Sequence, residues 1–161
     1  MANFFRKILQ KTLTASFITL GVFCGLSTTA TAADCSATIE SDDAYRFTPA
    51  HVDIPSDCSD FTVKLKHVGR LPKAAMGHNW VLVRSSDFDA VAKSGMLAGA
   101  GKDYIDPADT RVIAHTGLIG SGDETSVTFA VNKLKVGQSY SFLCTFAGHS
   151  PIMQGTLSLK P

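Results

Sequence analysis

The sequence predicts an all-β sandwich, on three observations. Short runs alternate apolar and polar residues with a period of two, turn-forming residues separate them, and one segment alone has helical spacing. Phe61, Val63 and Leu65 alternate with Thr62, Lys64 and Lys66, which gives a strand one buried and one wet face. Val127, Phe129 and Val131 alternate with Thr128 and Ala130. Tyr140, Phe142 and Cys144 share a face, as do Leu157 and Leu159. Asn79 to Val83 is more continuously apolar, the pattern of an interior strand. Turns at Pro55-Ser56-Asp57, Gly120-Ser121-Gly122-Asp123 and Lys135-Val136-Gly137 punctuate the runs. Ser86 to Gly99 breaks the pattern, because Phe88, Val91 and Ala92 recur at helical spacing. A short helix with Ser86 as its N-cap is expected there, lying as a flap outside the sheets. No internal repeat, low-complexity tract or second domain is apparent.

The first 32 residues read as an export signal rather than as part of the fold. Arg6, Lys7 and Lys11 form a basic start, Leu13 to Leu26 is apolar, and Ala30-Thr31-Ala32 fits a signal-peptidase site. Cleavage after Ala32 leaves a domain from 33 to 161. The apolar run is shorter than the roughly 20 residues of a membrane-spanning helix. Phe23 before Cys24 argues against lipoprotein processing, which requires a small residue there.

All 14 acidic residues follow residue 32, whereas three basic ones precede it, so the domain carries a small net negative charge. Without a Lys/Arg cluster it has no electrostatic footprint for nucleic acid. Without a second apolar span, the mature form is not expected to be membrane-embedded. The domain keeps Cys35, Cys58 and Cys144. An exported protein sits where disulfides persist, and three cysteines leave one over after a single bridge.

The chemistry concentrates near the end. From Cys144 to Met153 a thiol, an imidazole (His149) and a thioether (Met153) fall within ten residues, after a predicted strand. His78 stands at the start of another. Two His, one Cys and a distant Met form the donor set of a blue-copper electron-transfer site. The soft thiolate holds copper in both oxidation states, the borderline imidazoles suit both, and the thioether is a weak axial ligand. Taken singly, Cys144 reads as a buried thiol, Met153 as core and His149 as a surface residue; their combination reverses that. Zinc is the nearest chemical rival, although a catalytic zinc keeps a water where Met153 stands. A Cys–His nucleophile is the enzymatic rival, but no third orienting group or oxyanion signature accompanies it.

Gly69-Arg70-Leu71-Pro72-Lys73, Met76-Gly77-His78-Asn79-Trp80, Arg111 to Gly122 and the Cys144–Met153 loop resemble the azurin family of blue-copper proteins along the whole mature chain. The resemblance implies the cupredoxin fold, an eight-stranded Greek-key β-sandwich with a short helical flap. It implies one copper ion on His78, Cys144 and His149, with Met153 axial and the Gly77 carbonyl on the opposite side. It assigns Asn79 to bracing the ligand loop, and the backbone amides of Asn79 and Phe146 to the thiolate sulfur. Trp80 matches a core tryptophan and His67 a partly buried histidine near the site; His51 and His115 read as surface residues. Cys35 and Cys58 are expected to form the disulfide while Cys144 stays a metal thiolate. Family members commonly carry Pro where this chain has Ala147, and a small residue where it has Pro151; Pro151 removes a backbone donor. The implied role is a non-enzymatic periplasmic shuttle of single electrons, monomeric, with c-type cytochromes and respiratory reductases as partners. A periplasmic copper carrier is the alternative. The docking patch is expected around Leu71, Met76, Phe146 and Pro151, with electrons passing the edge of His149.

Overall fold

The computed structural model describes residues 34–161; the expected signal segment lies outside the described residues. In chain order the strands are β1 (Ser36–Ser41), β2 (Phe47–Thr48), β3 (His51–Pro55), β4 (Asp60–His67), β5 (Val81–Arg84), β6 (Ala114–His115), β7 (Glu124–Ala130), β8 (Tyr140–Leu143) and β9 (Gln154–Lys160). Two helices join them, α1 (Lys73–Met76) before β5 and α2 (Phe88–Ala98) after it. One sheet has the order β2-β1-β4-β7 and the other β3-β9-β8-β5-β6. The pairs β1/β4 and β3/β9 are parallel and the rest antiparallel.

Among the described residues, nine strand segments appear where eight strands were implied. The extra one arises because the chain from Phe47 to Pro55 changes sheets: β2 pairs with β1, whereas β3 pairs with β9. Pro49, which has no backbone donor, falls between the two pieces.

Between the sheets, Ile39, Phe61, Leu65, Trp80, Leu82, Phe142 and Leu157 interleave in one buried cluster. Each such side chain contributes roughly 1.5–3 kcal/mol by leaving water. Trp80 stands at its centre, with ring centroids 5.5 Å from Phe142 and 6.3 Å from Phe129. The alternation read in β4 appears as an alternating burial pattern, with Phe61, Val63 and Leu65 inside. Val131 is buried but lies just past the end of β7, in a 3-10 turn.

A second buried cluster explains why Asn79 to Val83 lacks alternation. Val81, Val83 and Leu143 face outward from the second sheet and pack against Val91 of α2 and against Ile105. The helix thus covers β5 and β8 from outside, as the flap reading requires. Its start differs from expectation. Ser86 lies within a 3-10 turn, Ser85–Asp87, and α2 begins at Phe88 with Asp87 at the cap position and no side-chain cap bond. The preceding turn delivers the chain into the helix, so a capping hydroxyl is not what starts it.

Cys35 and Cys58 are disulfide-bonded, with Cα atoms 5.7 Å apart. The bridge sits beside the Asp60 end of β4. His67 ends the same strand about 23 Å away at ~3.3 Å per residue. The fold therefore has a stapled end and, opposite it, an end where the candidate ligands collect.

Candidate metal centre

Strand pairing brings the donors together. β8 and β9 are antiparallel, with Leu143 opposite Gln154, so residues 144 to 153 form the loop that connects them. The loop is closed at its base by Cys144 N–H donating to Met153 O at 3.0 Å. Within it, His149 N–H donates to Phe146 O at 3.0 Å and Met153 N–H to His149 O at 2.8 Å. β5 neighbours β8 with Val81 opposite Leu143, so the residues before Val81 lie beside those after Leu143. His78 is fixed there by reciprocal backbone bonds with Ile119, both 2.9 Å.

One ligand atom from each of His78, Cys144 and His149 lies within 4.8 Å of the others, and all three residues are buried. Cys144 Sγ is 3.9 Å from His78 Nδ1, 3.6 Å from His149 Nδ1 and 3.9 Å from the Gly77 carbonyl oxygen. Gly77 has ordinary extended backbone angles, so its value is spatial. A Cβ there would meet the Lys73 carbonyl oxygen at 2.5 Å and the Leu118 side chain at 2.9 Å.

Burial sets the protonation of the three donors. Burial pushes the Cys144 thiol up to about 12, although the backbone N–H groups of Asn79 and Phe146 bond to it and offset part of that rise. Burial thus disfavours the thiolate, a cost that a cation beside it would offset. Burial lowers His149 to about 4. Burial, followed by the neighbouring His67 and His149, lowers His78 to about 4. Both imidazoles are therefore neutral at pH 7, the form that binds metals. The Nε2 of His78 donates to the Asp42 carbonyl at 2.9 Å, which leaves its Nδ1 lone pair aimed at the sulfur. Two neutral imidazoles and one thiol fit copper well.

A set of supports fixes the donors. Asn79 Oδ1 accepts from Thr145 N–H at 2.9 Å, and its Nδ2 donates to Thr145 Oγ1 and to the Asp103 carbonyl. His67, expected to be only partly buried, is 1% exposed, and its ring stacks on His78 with centroids 4.7 Å apart. It accepts at Nδ1 from Gly69 N–H, so Nε2 carries the proton and donates to the Met76 carbonyl. His149 lies between Phe146, at 4.5 Å between centroids, and Tyr45, at 4.8 Å.

The family profile described as copper binding proteins, plastocyanin/azurin family, matches residues 33–160. The chain belongs to this family. Azurin from Pseudomonas aeruginosa is 48% identical over 153 residues, spanning 95% of this chain and 100% of that protein. Azurin from Achromobacter denitrificans is 51% identical over 129 residues, 80% of this chain and 87% of that protein. Among solved structures, azurin Az-iso2 of Methylomonas sp. strain J superposes with a TM-score of 0.77 at 43% identity, covering 80% of this chain and all of that one. The cupredoxin fold and a copper cofactor follow from these relatives together with the His78–Cys144–His149 cluster.

Other residues fall as follows. Met153 is fully buried beneath the loop it closes. His51 and His115 are exposed, and His51 is occupied by Asp53 and Thr156 across β3 and β9. Of the residues expected to form a docking patch, Leu71 and Pro151 are exposed and Phe146 is half-buried, but Met76 is 8% exposed. The single turn of α1 buries Met76 while Ala74 and Ala75 face water, so Met76 is not part of an exposed surface. Ile152, in the same loop as His149, is 67% exposed. The turn Asp42–Arg46, which touches both histidines, carries no signal of that role in the sequence.

Proposed function

We propose that this protein is an exported one-electron carrier of the azurin type, acting in the periplasm and not as an enzyme. His78, Cys144 and His149 would hold the copper ion, with Met153 and the Gly77 carbonyl as weaker donors beside it, and the ion would supply a Cu(I)/Cu(II) couple. The observation that carries this reading is that the three strong donors are buried and already fixed by the fold. Asn79, His67 and the loop hydrogen bonds hold the imidazoles and the thiol in one arrangement, so a change of charge at the centre need not move them. The buried surroundings also limit the water that must reorient.

Export is supported by the N-terminal pattern ending at Ala32, where cleavage would release the domain 33–161. The 153-residue match to the Pseudomonas aeruginosa protein is longer than that domain and so runs into the leader. Among the described residues no helix is long and apolar enough to cross a membrane. A monomer would meet c-type cytochromes and respiratory reductases through the uncharged rim of Leu71, Phe146, Pro151 and Ile152. Handing copper to another protein is the competing role, and it calls for exposed, exchangeable ligands. Here His78 and Cys144 are wholly buried and His149 is 4% exposed.

The test pairs an absorption spectrum with voltammetry of the copper-loaded domain. An intense blue band that Cys144→Ser abolishes, together with a reversible one-electron wave, is expected. Irreversible electrochemistry with rapid copper loss to a chelator would favour the carrier instead.

A further inference from the structure

We infer that the left-handed turn Asp103–Tyr104 is a positioning element for the Cys144 sulfur: helix α2, through the close approach of Gly95, holds this turn against Asn79 and Phe146, the two residues whose backbone N–H groups bond to that sulfur. The inference rests on the electron-carrier reading above and gives the helical flap a part in it.

Asp103 and Tyr104 are consecutive non-glycine residues at φ 52° and 57°, a region that bulky side chains avoid. Strain of this kind persists only where the surroundings impose it. Here the N–H groups of Asp103 and Tyr104 donate to the Ala100 and Gly99 carbonyls, at 3.1 and 3.0 Å, just past the end of α2. Their own carbonyls are taken by the ligand segments. Asp103 O accepts from Asn79 Nδ2 at 2.9 Å, and Tyr104 O accepts from Thr145 Oγ1 at 2.7 Å. The Tyr104 ring lies against that of Phe146, with centroids 4.7 Å apart. One turn thus holds Asn79 by its side chain and Phe146 by its ring, and these residues supply the N–H groups on Cys144. The Asp103 carboxylate also pairs with Lys73 Nζ at 2.9 Å and accepts Leu118 N–H at 3.4 Å; both residues pack around Gly77.

Gly95 lets the helix reach this turn. It is buried within α2, where glycine is a poor helix former. A Cβ on it would meet the Tyr104 carbonyl oxygen at 2.5 Å and Thr145 Cβ at 2.7 Å. One obstacle is backbone and the other the root of a side chain, so neither can swing aside. Alanine would therefore favour the helix yet push the turn and Thr145 away from it. N–H bonds to the sulfur stabilise its negative charge, so loosening Asn79 or Phe146 favours Cu(II) over Cu(I).

The experiment compares the wild type with Gly95→Ala, Tyr104→Asn and Tyr104→Phe; asparagine tolerates positive φ, so the turn keeps its path without the ring. NMR measures hydrogen exchange of the Asn79 and Phe146 N–H groups in the metal-free protein, with the Val63 N–H of β4 reporting global opening. Voltammetry measures the potential of the copper-loaded protein. G95A and Y104N are expected to speed exchange at Phe146 several-fold relative to Val63, and to lower the potential while the blue band remains. Y104F is expected to match the wild type. G95A adds atoms and removes no cover, so a lower potential in it does not come from solvent entry. Wild-type exchange and potential in either variant, exchange that rises equally at Val63, or a Y104F protein that behaves like Y104N would overturn the role of the turn. Should G95A not fold, Y104N and Y104F decide alone. A wild type without a reversible one-electron wave would instead sink the electron-carrier reading, and the exchange rates would still decide whether the turn positions the N–H donors.

Discussion

Asn79 Oδ1 accepts the backbone N–H of Thr145 at 2.9 Å, so the residue after His78 holds the residue after Cys144. The amide of Asn79 is fully used, since its Nδ2 reaches both Thr145 Oγ1 and the Asp103 carbonyl, and the Thr145 hydroxyl passes its own proton to the Tyr104 carbonyl at 2.7 Å. This bond joins two segments 66 residues apart in sequence. Asn79→Ala strands the buried Thr145 N–H and should destabilise the protein by ~1–3 kcal/mol. Denaturant unfolding of the metal-free form measures this directly. A loss confined to the copper form would show that the bond depends on the metal.

Copper uptake should be coupled to protons in a defined way. At pH 7 the imidazoles of His78 and His149 are neutral and the Cys144 thiol, pushed up to about 12 by burial, is protonated. Loading then expels about one proton, from Cys144. Below about pH 4 the histidines also carry protons, so the release should grow as the solution becomes more acidic. Calorimetry in buffers of different ionisation enthalpy counts these protons.

The same groups shape the stability of the metal-free form. The histidine values lie below the ordinary ~6.5, so between about pH 4 and 6.5 the unfolded chain binds more protons. Their contribution is complete above 6.5 and is lost as pH falls towards 4. The Cys144 value is raised, so its contribution holds below the ordinary thiol range and is lost as pH rises towards 12. His149→Gln should flatten the acid slope of the unfolding midpoint between pH 4 and 6.5. An unchanged slope would mean that His149 is not the group titrating.

The disulfide stands apart from this chemistry. It joins residues 23 apart in sequence, at the end of β4 remote from His67. Loop closure of that size is worth ~3 kcal/mol in the chain-entropy model. The double variant Cys35→Ala, Cys58→Ala should therefore unfold at markedly lower denaturant while its blue band keeps its position. A displaced band would reveal that strain reaches the site along β4.

Much of this architecture was legible because it follows from local period and donor chemistry. β4 has one face in the core, so Phe61, Val63 and Leu65 alternate cleanly. Cys144, His149 and Met153 lie in one loop, and His78 is the right partner type at a strand entrance. What escaped depends on contacts that sequence order does not encode. Tyr45 reaches His149 across 104 positions, through a turn whose positive φ leaves no periodic trace. Met76 looks like surface in an apolar-rich segment, yet a single helical turn decides which of Ala74, Ala75 and Met76 faces inward. Ser86 has the chemistry of a cap, but the 3-10 turn from Ser85 moves the helix start beyond it.

The inward position of Met76 also changes how the docking face should be tested, because a lysine there would disturb packing as well as charge. Leu71 is the better probe: it is 41% exposed, on the segment leading into α1. Nearby Lys73 is already paired with Asp103 at 2.9 Å, so the rim is locally neutral and a new charge would stand out. Leu71→Lys should leave the blue spectrum unchanged and slow electron self-exchange, since two like patches would meet with like charges. The slowing should be greatest at low ionic strength and fade as salt shortens the screening length to ~10 Å at 0.1 M. Val136→Lys supplies the control. Val136 is 60% exposed, but it lies in the turn before β8, at the end of that strand away from Cys144. It adds the same charge far from the ligand loop. Equal slowing by both variants would mean that overall charge governs the encounter; slowing by Leu71→Lys alone would locate the electron port at the His149 end.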